Sequence, residues 1–203
     1  MKQYILASKS PRRKEILENL GVTFEIVTAD TDESSDVTDP RRLVEILSER
    51  KGLAVRELLL AEGRDLTDTV IISSDTVVAV DGQILGKPRN AEDARRMLHL
   101  LSGRAHEVVS GIALIGSERS GVAHEVTEVV FDEWSDEVID SYIERAQPYD
   151  KAGAYAIQGL ASAWIKGIRG CYFNVVGLPV HRLNTLYTEI FGEKFLYNFQ
   201  KKI

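Results

Sequence analysis

Apolar and polar positions change their period several times along the chain, and each change predicts an element. The apolar run ending at Ala7 suits a buried strand and gives way at once to a helix start. Ser10 stands where a cap is needed, and Pro11 takes the first helical position, where its missing N–H costs nothing. Ile16, Leu17 and Leu20 recur at helical spacing before a stop at Gly21. Residues 22–27 read as a second strand and residues 28–39 as an acidic loop. Pro40 opens a longer helix, carried by Leu43, Val44, Leu47, Leu53, Ala54 and Leu58, that closes near Gly63. The β-branched run over 70–80 predicts a central strand, and Asp81-Gly82 a hairpin returning through Ile84 and Leu85. A helix over 91–101 places Ala94, Met97, Leu98 and Leu101 on one face. Residues 108–115 and 122–131 read as an antiparallel pair, and Ser135 and Asp136 start a helix through Val138, Ile139 and Tyr142. A last pair of strands is predicted at 163–168 and 171–176, then a helix from Pro179 to Phe191, with residues 191–203 as a tail.

Composition narrows the class. A chain of 203 residues, 44% hydrophobic and 28% charged, is long enough for one large domain or two small lobes sharing a core. No window reaches the length of a membrane span and the N-terminus has no signal pattern, so the expected location is cytoplasmic. The single Cys171 excludes an internal disulfide framework and a cysteine-cluster metal site, and reads as a small buried residue. The four histidines show no ligand spacing, and there is no Gly-x-Ser-x-Gly elbow. A net charge of -6 argues against broad nucleic-acid binding.

Against that acidic balance, Lys9, Arg12, Arg13 and Lys14 gather at one helix start, where the macrodipole is already positive. An anion bound there explains the excess; the alternative is a solvated cluster paired with nearby carboxylates. The loop carrying Asp30, Asp32, Glu33 and Asp36 is the first place a divalent cation could be recruited, although most acidic loops are merely solvated. Arg50 and Lys51 lie within the long helix, where either could lean toward a phosphate if that face borders the site, although a plain surface lysine is the commoner reading of such a position. Asp75 interrupts an apolar strand. A buried carboxylate needs a partner such as a metal, a lysine or a water, and this favours a general base or metal ligand over a structural acceptor. Gly86-Lys87-Pro88-Arg89 is a loop with two cations that lacks P-loop spacing. Residues 150–159 are small enough for close approach of a ligand to the backbone, and Gln158 offers a paired donor and acceptor to a base edge.

Several ordered motifs span nearly the whole chain. They are Leu-Ala-Ser-x-Ser-Pro-Arg-Arg at 6–13, Asp32-Glu33, Lys51, Ser74-Asp75-Thr76, Gly86-Lys87-Pro88 and Leu101-Ser102-Gly103. Lys151-Ala152-Gly153-Ala154-Tyr155 follows, running into Ile157-Gln158-Gly159, and Val176-Gly177-Leu178-Pro179 completes the set. In these the chain resembles the Maf family of nucleoside triphosphate pyrophosphatases, also called septum-formation inhibitors. The resemblance implies a single Maf domain over 1–203 with an α/β fold related to the inosine triphosphatases and Ham1 proteins. That fold is a mixed twisted sheet flanked by helices, with two lobes around a cleft. It also implies hydrolysis of a nucleoside triphosphate to the monophosphate and pyrophosphate with a divalent metal, Mg²⁺ or Mn²⁺, in a homodimer that keeps nucleotide pools clean. By resemblance Asp75 is the proton acceptor, and Glu33 joins it in organising metal and water. Ser8, Arg12, Lys51 and Lys87 hold phosphates, with Lys87 counted among the catalytic residues. Arg13, Thr76 and Gln158 match the positions that separate subfamilies by base, and the trio is similar to that of the dTTP and UTP enzymes. The competing reading is a regulator of cell division that acts through a partner or nucleic acid, with nucleotide only as a signal.

Overall fold

The computed structural model describes residues 2–196. The chain runs through β1 (Gln3–Leu6), α1 (Pro11–Asn19), β2 (Phe24–Ile26), α2 (Pro40–Ala61), β3 (Thr69–Val80), β4 (Gln83–Leu85), α3 (Ala91–Leu101), β5 (Ala105–Ile115) and β6 (Ser120–Phe131). It continues through α4 (Asp136–Ala146), three short 3₁₀ turns at Pro148–Asp150, Ala152–Ala154 and Leu160–Trp164, then β7 (Ile165–Arg169), α5 (Tyr172–Val176) and α6 (Val180–Phe191). The strands form one mixed sheet in the order β2-β1-β3-β5-β6-β7, with β4 also on β3. β1 is parallel to β2 and β3, and the other pairings are antiparallel.

The functional geometry starts in β3. β5 covers one edge of it from Ile71↔Ile115 to Ala79↔Glu107. The opposite edge is shared. β1 pairs there through Leu6↔Ile72, and β4 takes over at Val78↔Leu85, so residues 73–77 have no strand partner on that side. This gap in the sheet edge opens a cleft.

The even-numbered residues of β3 share one face of the sheet, and the interior on that face divides in the same place. Ile72 packs with Leu6, Leu17, Leu183 and Tyr187 in one core, whereas Val78 and Val80 pack with Leu98, Phe131, Trp134 and Ile139 in another. Two lobes therefore share β3 across the polar stretch Ser73-Ser74-Asp75-Thr76. On the other face of the sheet lies α2, with Val55 and Leu59 against Ile71 and Ile115, and Val44 against Val77 and Val109. Its approach is close: a Cβ at Gly111 would stand 2.1 Å from the Val44 carbonyl oxygen.

Three local expectations are corrected. Residues 171–176 do not form a strand; Tyr172–Val176 is the short helix α5. Buried Asn174 fixes it by donating from Nδ2 to the Val108 carbonyl (2.9 Å) and to Thr127 Oγ1 (3.0 Å). Cys171 is half-buried rather than buried. The chain beyond α6 is not a loose tail as far as it is described, because Phe195 is 1% exposed and its ring lies 5.3 Å from that of Tyr4. Residues 197–203 of the expected tail lie outside the described residues. Ser10 does occupy the N-cap position of α1, but its side chain makes no capping bond.

Candidate active site

The cleft has a volume of about 700 Å³, and Ser8, Arg12, Arg13, Glu33, Lys51, Asp75, Thr76, Lys87 and Gln158 all line it. The structure thus brings together every expected site residue, from segments far apart in sequence. Of the cations at the start of α1, Lys9, Arg12 and Arg13 line the cleft, while Lys14 turns away to pair with Glu18 at 3.6 Å. Arg50 is directed elsewhere too, donating to the Ser34 carbonyl at 2.8 Å and so bracing the acidic loop. Within that loop the Asp32 carboxylate is taken by the backbone N–H and hydroxyl of Ser34, and Glu33 faces the cleft.

Ser8 lies just past the end of β1 and is 8% exposed. Its Oγ accepts from the Ser10 N–H (3.2 Å) and from Arg13 Nη1 (3.1 Å). With both lone pairs occupied, the hydroxyl proton is left as a donor for the cleft. Arg13 also donates from Nε to the Gly177 carbonyl (2.8 Å) and from Nη2 to Thr76 Oγ1 (3.1 Å). Burial draws its guanidinium below the usual arginine value, opposed mainly by the charge of Asp75. Thr76 is held in turn by Ser110 Oγ at 2.8 Å, and Ser74 Oγ donates to the same Gly177 carbonyl at 3.0 Å. The guanidinium fork thereby ties the end of β1, the middle of β3 and the turn before α6 into one frame.

Asp75 points to the α2 side of β3. Lys51 reaches it from α2, with Nζ 2.5 Å from Asp75 Oδ1 and 2.8 Å from Glu33 Oε1. The lysine that looked like a plain surface residue is 18% exposed, and Asp75 is 13% exposed. The hydrogen bond from Lys51 holds the Glu33 carboxyl below its ordinary value despite partial burial, with the charges of Lys51, Lys87 and Arg13 adding to it. Lys87 stands exposed on the loop after β4. That loop is fixed by the Gly153 N–H, which donates to the Gly86 carbonyl at 3.0 Å.

Among the described residues there is no group of three or more His, Cys, Asp or Glu side chains able to hold a metal. The pair present, Asp75 and Glu33, offers hard oxygens that already share one cation, the Lys51 ammonium. This donor set fits a Mg²⁺-type ion, which takes one or two carboxylates and completes its shell with substrate phosphates and water.

Sequence reasoning missed Asp150, Lys151, Ser110 and the Gly177 carbonyl as parts of the site. Lys151 opens a motif that carries the resemblance and Asp150 directly precedes it, in a stretch whose small residues point to the backbone rather than to these side chains. The carbonyl has no side-chain signal at all.

Comparison with known proteins agrees with the geometry. A family profile described as "Maf-like protein" matches residues 3–190. The dTTP/UTP pyrophosphatase of Pelotomaculum thermopropionicum is 44% identical over 201 residues, covering 98% of this chain and 99% of that protein. Proteins of the same description from Desulforamulus reducens (46% identity, 90% of this chain, 94% of that one) and Bacillus cereus (44%, 90% and 93%) are similar. Among solved structures, the Ham1 protein of Staphylococcus aureus superposes with a TM-score of 0.50 at 12% identity, covering 93% of this chain and 91% of that one, a likeness of fold. With a profile match that takes in both lobes and the whole cleft, and relatives aligned nearly end to end, the chain belongs to the Maf family.

Proposed function

We propose that the protein hydrolyses nucleoside triphosphates, dTTP and UTP before others, to the monophosphate and pyrophosphate. The observation that carries this reading is the ammonium of Lys51 shared between Asp75 and Glu33, in a cleft that faces the cationic start of α1. The relatives' shared description as dTTP/UTP pyrophosphatases supports the choice of nucleotide.

In this reading the Ser8 hydroxyl, Arg12, Lys51 and Lys87 hold the phosphates. Asp75 orients a water and takes its proton as the water oxygen bonds to the α-phosphorus. The bond from that phosphorus to the bridging oxygen breaks on the opposite side, and pyrophosphate leaves with the negative charge that the cations stabilise. Asp75 and Glu33 would hold a divalent metal, Mg²⁺ or Mn²⁺, which when bound supplies further charge neutralisation at the phosphates. Gln158 offers its paired donor and acceptor to the base, while Arg13, engaged by Thr76 and Gly177, sets the shape of that end of the cleft. No helix among the described residues is long and apolar enough to cross a membrane. The same reading takes the protein as a single Maf domain that works in the cytoplasm as a homodimer.

Product identity and substrate rank test it. With Mg²⁺ or Mn²⁺, dTTP and UTP should release pyrophosphate with kcat/KM at least about tenfold above CTP, 7-methyl-GTP and ITP. Orthophosphate as the product, or a flat rank across the panel, would overturn it.

A further inference from the structure

Lys151 lines the same cleft as Lys51, from the 3₁₀ turns after α4. Lysine ordinarily keeps its ammonium in water. The ion-paired Lys2, Lys14 and Lys166 follow that rule, with side chains 28%, 49% and 57% exposed. Lys51 and Lys151 depart from it together, at 18% and 17%.

The anion beside Lys151 is its neighbour Asp150, with Nζ 2.5 Å from Oδ1. The other oxygen of Asp150 lies 3.7 Å from Nη1 of Arg12, which comes from the start of α1. One carboxylate, itself 61% exposed, therefore lies between two cations that both face the cleft. The backbone beneath it is fixed. The Lys151 N–H donates to the Pro148 carbonyl at 3.1 Å, and the Gly153 N–H donates to Gly86, the residue before Lys87. Gly153 has φ +66°, and a Cβ there would stand 2.7 Å from Val78 Cγ2, so the turn packs tightly on β3, and its bond to Gly86 sets Lys151 beside the Lys87 loop.

We propose that Lys151 is a further triphosphate-binding residue of the cleft, and that Asp150 is its counterion in the nucleotide-free protein, displaced by the phosphates. This rests on the proposed phosphate-binding role of the cleft. A carboxylate that is itself mostly in water, as Asp150 is, holds an ammonium weakly, whereas a polyphosphate carries several charges and many acceptor oxygens. Substrate arrival then exchanges Asp150 for phosphate on both Lys151 and Arg12.

The test is binding of inorganic triphosphate by calorimetry, which needs no turnover. Lys151→Gln should raise its Kd about tenfold, the loss of one charge-assisted contact. Asp150→Asn should lower the Kd about threefold, because it removes a competitor while leaving both cations. Lys151→Arg, which keeps the charge, should restore the Kd to within about threefold of wild type. Lys151→Gln and Asp150→Asn break the same ion pair, so a pair with only a structural role would move both in one direction. Shifts of the same sign, or an unchanged Kd in Lys151→Gln, would overturn the proposal. Failure of the wild-type protein to bind inorganic triphosphate would instead overturn the phosphate-binding reading of the cleft, and the two failures are distinct.

Discussion

Arg13 shows why residue identity matters here. Its planar fork reaches Ser8, Thr76 and the Gly177 carbonyl at once, and a lysine could not hold three acceptors in those directions. The motif made Arg13 legible as a site residue. Its commitment to protein acceptors was not legible, because Gly177 lies 164 positions away. His106 is the opposite case, with no signal in the sequence. It is 3% exposed, its Nε2 lies 2.7 Å from the Tyr155 hydroxyl, and its Nδ1 has no hydrogen-bond partner among the described residues. Burial lowers its pKa from 6.5 to about 4. The unfolded chain therefore takes up a proton as the pH falls through 6.5, whereas the folded protein resists until about 4. The stability contributed by neutral His106 is complete above pH 6.5 and falls by about 3 kcal/mol on the way to pH 4. Urea midpoints should drop more between pH 7 and pH 4.5 for wild type than for His106→Gln, which cannot titrate. Equal drops would show that His106 does not contribute. Glu33, whose pKa is also lowered, adds its own loss at the acid end in both proteins.

At the scale of elements, legibility followed the strength of the local signal. The helix over 91–101 is legible in sequence because its apolar face is unbroken, and the structure adds the cap at Asn90, whose side chain accepts from the Asp93 N–H at 2.9 Å. The 171–176 segment reads as a strand because six residues, apolar except for Asn174, show no decisive period, and what fixes the helix is the bonding of Asn174 to the distant Val108 and Thr127. The seat of α2 was invisible for a similar reason. Gly111 sits inside a strand, where glycine is unfavourable, and only the crossing helix explains it. Gly111→Ala would force the new methyl into the Val44 carbonyl and push α2, with Lys51, off the sheet. It should cost about 3 kcal/mol of stability, read from the urea midpoint, and reduce activity even at temperatures where the protein stays folded. Wild-type stability in this variant would mean that α2 can move without penalty.

Taken whole, the molecule is one sheet with a notch. The family resemblance anticipated a mixed sheet with two lobes, and the notch is where they part. What periodicity could not supply is that β1 and β4 share one edge of β3 and leave residues 73–77 open between them. Nor could spacing alone show that Glu33, Lys51 and Asp75, from a loop, a helix and a strand, meet within 2.8 Å of one ammonium. In a chain of net charge -6, Lys9, Arg12, Arg13, Lys51, Lys87 and Lys151 line one cleft with Asp75, and the proposed reading lays the triphosphate along these cations and gives Asp75 the proton of water. Asp75→Asn, which keeps an oxygen acceptor for Lys51, tests that claim most directly when compared with wild type on dTTP. The account predicts nucleotide binding within about threefold of wild type and pyrophosphate release slower by about 10²- to 10⁴-fold. Release at the wild-type rate would contradict it.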